Sequence, residues 1–157
     1  MRATYVTLSV AVLAFGLDQA SKYGIVTGLD LANRLAIDVV PPLLNFRMGW
    51  NEGINFGLLS GMPEIMRWAL VLIAIGVAVW ALFWASTKPQ GLVHLSAGLL
   101  AGGALGNAYD RVLYGAVRDF LNMSCCGIRN PYVFNVADVC VFLGVAGLIY
   151  LLEIKKV

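Results

Sequence analysis

Charge is scarce in this chain. Only 13% of its residues are Asp, Glu, Lys or Arg while 60% are hydrophobic, and the mean hydropathy is +0.80. Soluble domains carry about a quarter charged residues and about half apolar ones, so this composition cannot be buried in a water-soluble core. Lipid is the expected solvent for much of the protein. Histidine and cysteine are also sparse. His94 is the single histidine, and Cys125, Cys126 and Cys140 lack both the paired C-x-x-C spacing and the neighbouring histidines of a zinc site. No metal and no cofactor are therefore expected. Cys125 and Cys126 are adjacent, where a disulfide would be strained, and no role is assigned to them. A formal net charge of +2 without a basic, aromatic-interleaved stripe excludes a nucleic-acid partner. Ser21, Ser60, Ser86, Ser96 and Ser124 lack a G-x-S-x-G setting, which disfavours serine–histidine chemistry. No internal repeat or low-complexity tract interrupts the chain.

What is abundant is long, continuous apolar sequence. In hydrocarbon the backbone must satisfy its own polar groups, and these runs do not alternate as barrel strands do, so helices are expected. The first run, about Thr4 to Leu17, resembles a secretory signal peptide in length. Its pattern nevertheless continues helically through Asp18 and Lys22, and three further runs follow. The spans predicted are about 4–22, 65–85, 91–109 and 133–152, each near the roughly 20 residues that cross a bilayer. The fold class expected is an all-α polytopic membrane protein with four transmembrane helices, forming one domain over 1–157. Loops of about 23–64 and 110–132 then share one side of the membrane, and the termini and Lys88 share the other, read as cytoplasmic. Within the first loop, Arg34 to Val39 and Leu43 to Met48 look extended, split by Pro41 and Pro42 and followed by the turn residues Asn51 and Gly53. A small β element is expected there, with Trp50, Phe56 and Leu58 on the lipid surface or over a substrate.

On this topology the acids are one-sided. Asp18, Asp30, Asp38, Glu52, Glu64, Asp110, Asp119 and Asp138 fall on the loop side, and only Glu153 on the other, whereas His94 lies away from the acids. Asp18, Asn107, Asp110 and Asp138 end three different spans at similar depth, so a bundle would gather them into one boundary pocket. Asp119 and Asp138 suggest hydrolysis: two close carboxylates share a proton, one activating water while the other hydrogen-bonds the scissile carbonyl. Spacing leaves simpler roles open. Asn135 and Asp138 also read as a helix N-cap with its N3 carboxylate, and Asp119 as a solvated loop acid beside Arg118. Asp18 and Lys22 are spaced i, i+4 as an interfacial ion pair. Asn107, Asp110 and Arg111 can share a helix face, with Arg111 bracing a carboxylate or forming a plain helix-end pair. Gly102, Gly103 and Gly106 read as helix-packing positions.

Five blocks, DQASK (18–22), NEGINFG (51–57), GGALGNAYDR (102–111), VRDF (117–120) and FNVAD (134–138), resemble the lipoprotein signal peptidase family, signal peptidase II, along nearly the whole chain. The resemblance implies an aspartyl endopeptidase of the bacterial inner membrane that cleaves prolipoproteins before a diacylglyceryl-modified cysteine, with a small β-cradle built from the first loop and an active site facing the periplasm or exterior. It implies that Asp119 and Asp138 are catalytic and that Asp18, Lys22, Asn51, Gly53, Asn107, Asp110, Arg111 and Asn135 support or bind substrate. The partners implied are prolipoproteins and membrane lipids, with the enzyme acting as a monomer. Two positions depart from the family pattern: Arg118, where an apolar residue is usual, and Asn55, where a small one is. A cation at 118 is expected to lower the ionisation constant of Asp119 or to face lipid headgroups, and Asn55 to alter the fit of the first loop around substrate. The rival reading is a small transporter or channel subunit whose boundary carboxylates bind a cation.

Overall fold

The computed structural model describes residues 2–53, 63–89, 91–127 and 130–154. The expectations placed on Asn55, Phe56 and Leu58 lie outside them. Helix α1 (Arg2–Lys22) runs on into a π-helical stretch (Tyr23–Gly28) and a short helix α2 (Leu31–Arg34). Strands β1 (Ala36–Val40) and β2 (Leu44–Asn51) follow, then α3 (Pro63–Ser86), α4 (Gly91–Tyr114), β3 (Val117–Asn122) and α5 (Val136–Ile154). The chain is mostly helical with one small antiparallel sheet ordered β1-β2-β3.

Two segments depart from expectation for identifiable reasons. Helix α4 continues to Tyr114, past the predicted limit near 109; Val112, Leu113 and Tyr114 stay exposed, and Arg67 of α3 takes up the Arg111 and Val112 carbonyls there. The sheet also has a third strand. Residues 117–122, read as loop, pair with β2, with Asp119 opposite Gly49 and Trp50 opposite Arg118. The cradle is thus built from both loops, and β3 is buried almost throughout, which removes the polar–apolar alternation by which a strand is read.

Small residues occupy the helix contacts and large ones face outward. Ala11, Ala14, Ala78, Ala81, Ala85, Ala97, Ala101 and Ala137 are buried, whereas Val12, Leu72, Phe83 and Phe142 are each about 70% exposed. That inversion suits a lipid environment, where close backbone approach rather than burial of large side chains holds helices together. Two helices, Glu64–Ser86 and Val136–Glu153, are long and apolar enough to cross a membrane by length and composition. Helices α1 and α4 have 21 and 24 residues, but each gives part of its length to polar side chains at one end.

The glycines of α4 set its closest approaches. A Cβ at Gly102 would collide with the Ala11 carbonyl and stand 2.7 Å from the Ala14 Cβ on α1. At Gly103 it would lie 2.5 Å from the Ala137 carbonyl oxygen of α5, and at Gly106 it would lie 2.7 Å from an Asp18 carboxylate oxygen. These positions let α1, α4 and α5 meet at the polar end of the bundle. Gly102→Val is therefore expected to force α1 from α4 and destabilise by about 1–3 kcal/mol. Gly76→Ala, where nothing lies within 4 Å, should be neutral or stabilising by about 0.5–1 kcal/mol. Thermal unfolding in detergent checks this, and equal midpoints for Gly102→Val and the parent would refute it.

Candidate active site

The site begins at the N-terminus of α5, whose first N–H groups need acceptors. Asn135 and Asp138 satisfy them reciprocally: the Asn135 N–H donates to Asp138 Oδ2 (3.1 Å), and the Asp138 N–H donates to Asn135 Oδ1 (2.9 Å). This is the capping box that spacing allowed. A third acceptor comes from another helix, since the Ala137 N–H donates to Asp18 Oδ1 at 2.9 Å. Carboxylates at a helix N-terminus also suit its dipole.

The cap draws the two sequence-distant aspartates to one residue. Asn135 Nδ2 donates to Asp119 Oδ1 (2.6 Å) and to Asn107 Oδ1 (3.1 Å), while Asn107 Nδ2 donates to Asp138 Oδ1 (2.8 Å). Asn51 Nδ2, from the end of β2, donates to Asp119 Oδ2 at 3.0 Å. Asn51 Oδ1 accepts the N–H of Gly53, whose φ of +115° a side chain would resist. Asp119 is 3% exposed. Burial, and then the charge of Asp138, push its carboxyl up to about 6.

Beneath the aspartates lies a cluster of buried charge. Lys22, Asp18 and Asp110 are fully buried; Lys22 Nζ stands 2.8 Å from Asp18 Oδ2 and 3.1 Å from Asp110 Oδ2, and donates to Asn107 Oδ1 at 3.3 Å. The i, i+4 pair of α1 therefore exists, as part of a larger set. Gln19 was not singled out from DQASK, yet its amide bridges Asp18 Oδ2 (2.9 Å), the Gly106 carbonyl (3.2 Å) and Asp110 Oδ1 (3.2 Å). A second amide beside a boundary Asp was the available signal.

The two arginines exchange their expected roles. Arg118 neither lowers Asp119 nor faces headgroups; its Nε and Nη2 donate to Asp110 Oδ2 (3.2 Å) and Oδ1 (2.9 Å). Arg111 does not brace Asp110, because consecutive helical residues point about 100° apart. Its guanidinium is partly desolvated, with the charges of Asp119, Asp138 and Asp110 acting on it, and its Nε has no hydrogen-bond partner among the described residues. The Arg111 and Val112 carbonyls are capped instead by Arg67 of α3 at 2.7 and 2.9 Å. His94 lies toward the opposite end of α4, bonded to Thr7 Oγ1 (2.8 Å) and the Lys88 carbonyl (3.0 Å). Cys125 and Cys126 are exposed and unpaired, and Cys140 is buried. Among the described residues no group of three or more His, Cys, Asp or Glu side chains gathers to hold a metal ion.

Comparison with known proteins gives a consistent answer. Residues 10–154 match the family model described as signal peptidase (SPase) II. A lipoprotein signal peptidase of Methylobacterium sp. (strain 4-46) is 41% identical over 149 residues, covering 95% of this chain and 89% of that protein. One from Aquifex aeolicus (strain VF5) is 38% identical over 151 residues, covering 94% and 86%. Two solved structures, described as bacterial membrane enzymes obtained by the in meso method, superpose with TM-scores of 0.77 and 0.79 at 30% identity. They cover 96% and 95% of this chain, and 88% and 93% of their own.

The raised Asp119 carboxyl carries a stability consequence. The folded state binds this proton more tightly than the unfolded chain, whose value is near 3.8, so its contribution is complete below about 4 and is lost as pH rises through about 6. Asp119→Asn is expected to flatten the fall in thermal midpoint between those values and to melt higher than the parent at neutral pH. Identical pH dependence in the two proteins would contradict the burial assigned to Asp119.

Proposed function

The chain belongs to the signal peptidase II family, and from that membership we propose that Asp119 and Asp138 are the pair with which it removes signal peptides from prolipoproteins. It is an aspartic-type peptidase of the membrane. One observation carries the assignment: Asn135 holds both acids, Asp119 through its side-chain amide and Asp138 through its main-chain N–H.

Two carboxyls so linked and singly protonated hydrolyse an amide without metal or covalent intermediate. Burial favours the shared proton on Asp119. Its O–H then hydrogen-bonds the scissile carbonyl oxygen, while the Asp138 carboxylate removes a proton from a water attacking the carbonyl carbon. The tetrahedral intermediate collapses as the leaving amine takes the proton gained by Asp138, and the acid–base roles are restored. Lys22, Asp18, Asp110 and Asn107 hold the pair in place. Arg111, on which both acids act, supplies positive charge where the carbonyl oxygen becomes negative.

The substrate class follows from depth. We read α1, α3, α4 and α5 as four crossings of the bacterial inner membrane by a single monomeric unit, both termini cytoplasmic and the sheet on the outer face. A diacylglyceryl-modified cysteine is anchored in that leaflet by its acyl chains while the signal peptide spans the bilayer. Both parts present the scissile bond at the boundary where the aspartates sit, and anchoring supplies much of the orientation the reaction needs.

Asp119→Asn and Asp138→Asn should each remain folded and abolish conversion of a lipidated precursor in a gel-shift assay, and the unlipidated precursor should not be cleaved by the parent. Processing by either variant would end the assignment, and equal cleavage of both precursors would remove lipid recognition. Because the active form retains the Asp119 proton, kcat/KM of the parent should decline on the alkaline side from about pH 6. A profile rising through neutrality would reverse the proton's placement.

A further inference from the structure

Strand β3 carries Asp119 at the edge of the sheet, so only β2 supports it by sheet pairing on one side. Both neighbours of Asp119 are nevertheless fixed independently of β2. On the far side, the Phe120 N–H donates to the Phe134 carbonyl at 3.1 Å, one residue before the α5 cap. On the near side, the Arg118 main-chain N–H donates to Asp110 Oδ2 at 3.0 Å and its guanidinium grips the same carboxylate by a fork of two more bonds. That guanidinium also donates to Gln19 Oε1 at 3.1 Å and lies 4.2 Å from the centre of the Tyr114 ring.

The charges balance only with Arg118 included. Asp18 and Asp110 are two buried acids, and Lys22 and Arg118 are the cations that meet them. With Arg118 on Asp110, Lys22 is not needed there alone and extends to Asn107, the residue that donates to Asp138. Arg118 therefore reaches both aspartates indirectly: Asp119 by adjacency in the strand, and Asp138 through the chain of Asp110, Lys22 and Asn107. Successive side chains of a strand point to opposite faces, which directs Arg118 away from the substrate side of Asp119.

We infer that Arg118 is a further positioning residue of this peptidase, its fork on Asp110 fixing β3 and thereby the separation of Asp119 from Asp138. The inference rests on the assignment of those two aspartates as the reacting pair. A group of this kind acts on the chemical step and not on substrate affinity, and displacement of a reacting group by about 1 Å costs on the order of 100-fold in rate. Lysine cannot replace it, because a point charge lacks the two-pronged geometry that a carboxylate accepts.

The test is kinetic, on the full-length protein in detergent with a lipidated precursor peptide. Arg118→Leu is expected to lower kcat roughly 10- to 100-fold with KM within about twofold of the parent. Arg118→Lys should recover only part of the loss, and the double variant Arg118→Leu/Asp110→Asn should lose less than the product of the two single losses, since both changes break the same fork. Parental kcat in Arg118→Leu, or a raised KM with kcat retained, overturns the inference. If Arg118→Leu does not fold, Arg118→Lys and Asp110→Asn are read instead: a fall in kcat at constant KM in both supports it, and parental kcat in both overturns it. Activity surviving in Asp119→Asn would instead sink the underlying pair, so the two failures are distinguishable.

Discussion

Four charged side chains almost without access to water, Asp18, Lys22, Asp110 and Arg118, hold α1, α4 and β3 to one another, and Asp18 extends the hold to the N-terminus of α5. Charges so deeply buried do not stabilise a fold by much in net terms, because desolvation offsets most of their attraction. Removing a single member is different: it leaves an uncompensated buried charge, at about 3–5 kcal/mol. Their arrangement is therefore all-or-none. It fixes positions more than it adds stability, and Asp119 and Asp138 inherit those positions.

The set can form only because the helices approach closely. Gly102, Gly103 and Gly106 strip one face of α4 of side chains just where α1 and α5 meet it, and the Asp18 carboxylate lies against the bare backbone of Gly106. Lipid-facing packing on small residues and a buried polar cluster are thus two aspects of one contact. The amides complete it. Asn107, Asn135 and Gln19 each both donate and accept, so they link carboxylates that would repel one another directly. Neutral linkers also leave Asp119 with a raised affinity for its proton, which a cation hydrogen-bonded to it would have removed.

Much of the site was legible in the residues. Asp119 and Asp138 stand out because ionisable groups at the hydrocarbon boundary are costly to place, and Asn135 with Asp138 has capping-box spacing. In the structure one carboxylate oxygen of Asp138 caps the helix while the other meets Asn107. Arg118, Arg111 and Gln19 were not legible in the same way. Sequence spacing pairs residues on one element, whereas the partner of Asp110 comes from a strand eight residues on and that of Gln19 from three elements at once. Strand β3 is hidden for a related reason, since it is buried almost throughout and lacks the alternation that marks β2.

Sequence by itself determined the solvent, the helical character, the segregation of acids to one side and the residue types of an aspartyl site, because these depend on composition and on spacing along single segments. Tertiary structure alone decided which arginine meets which acid, that the sheet takes two strands from one loop and a third from the other, and that one asparagine bridges residues 119 and 138. Those outcomes depend on directions in space between segments far apart in the chain. A linear pattern does not encode such directions until the helices have packed.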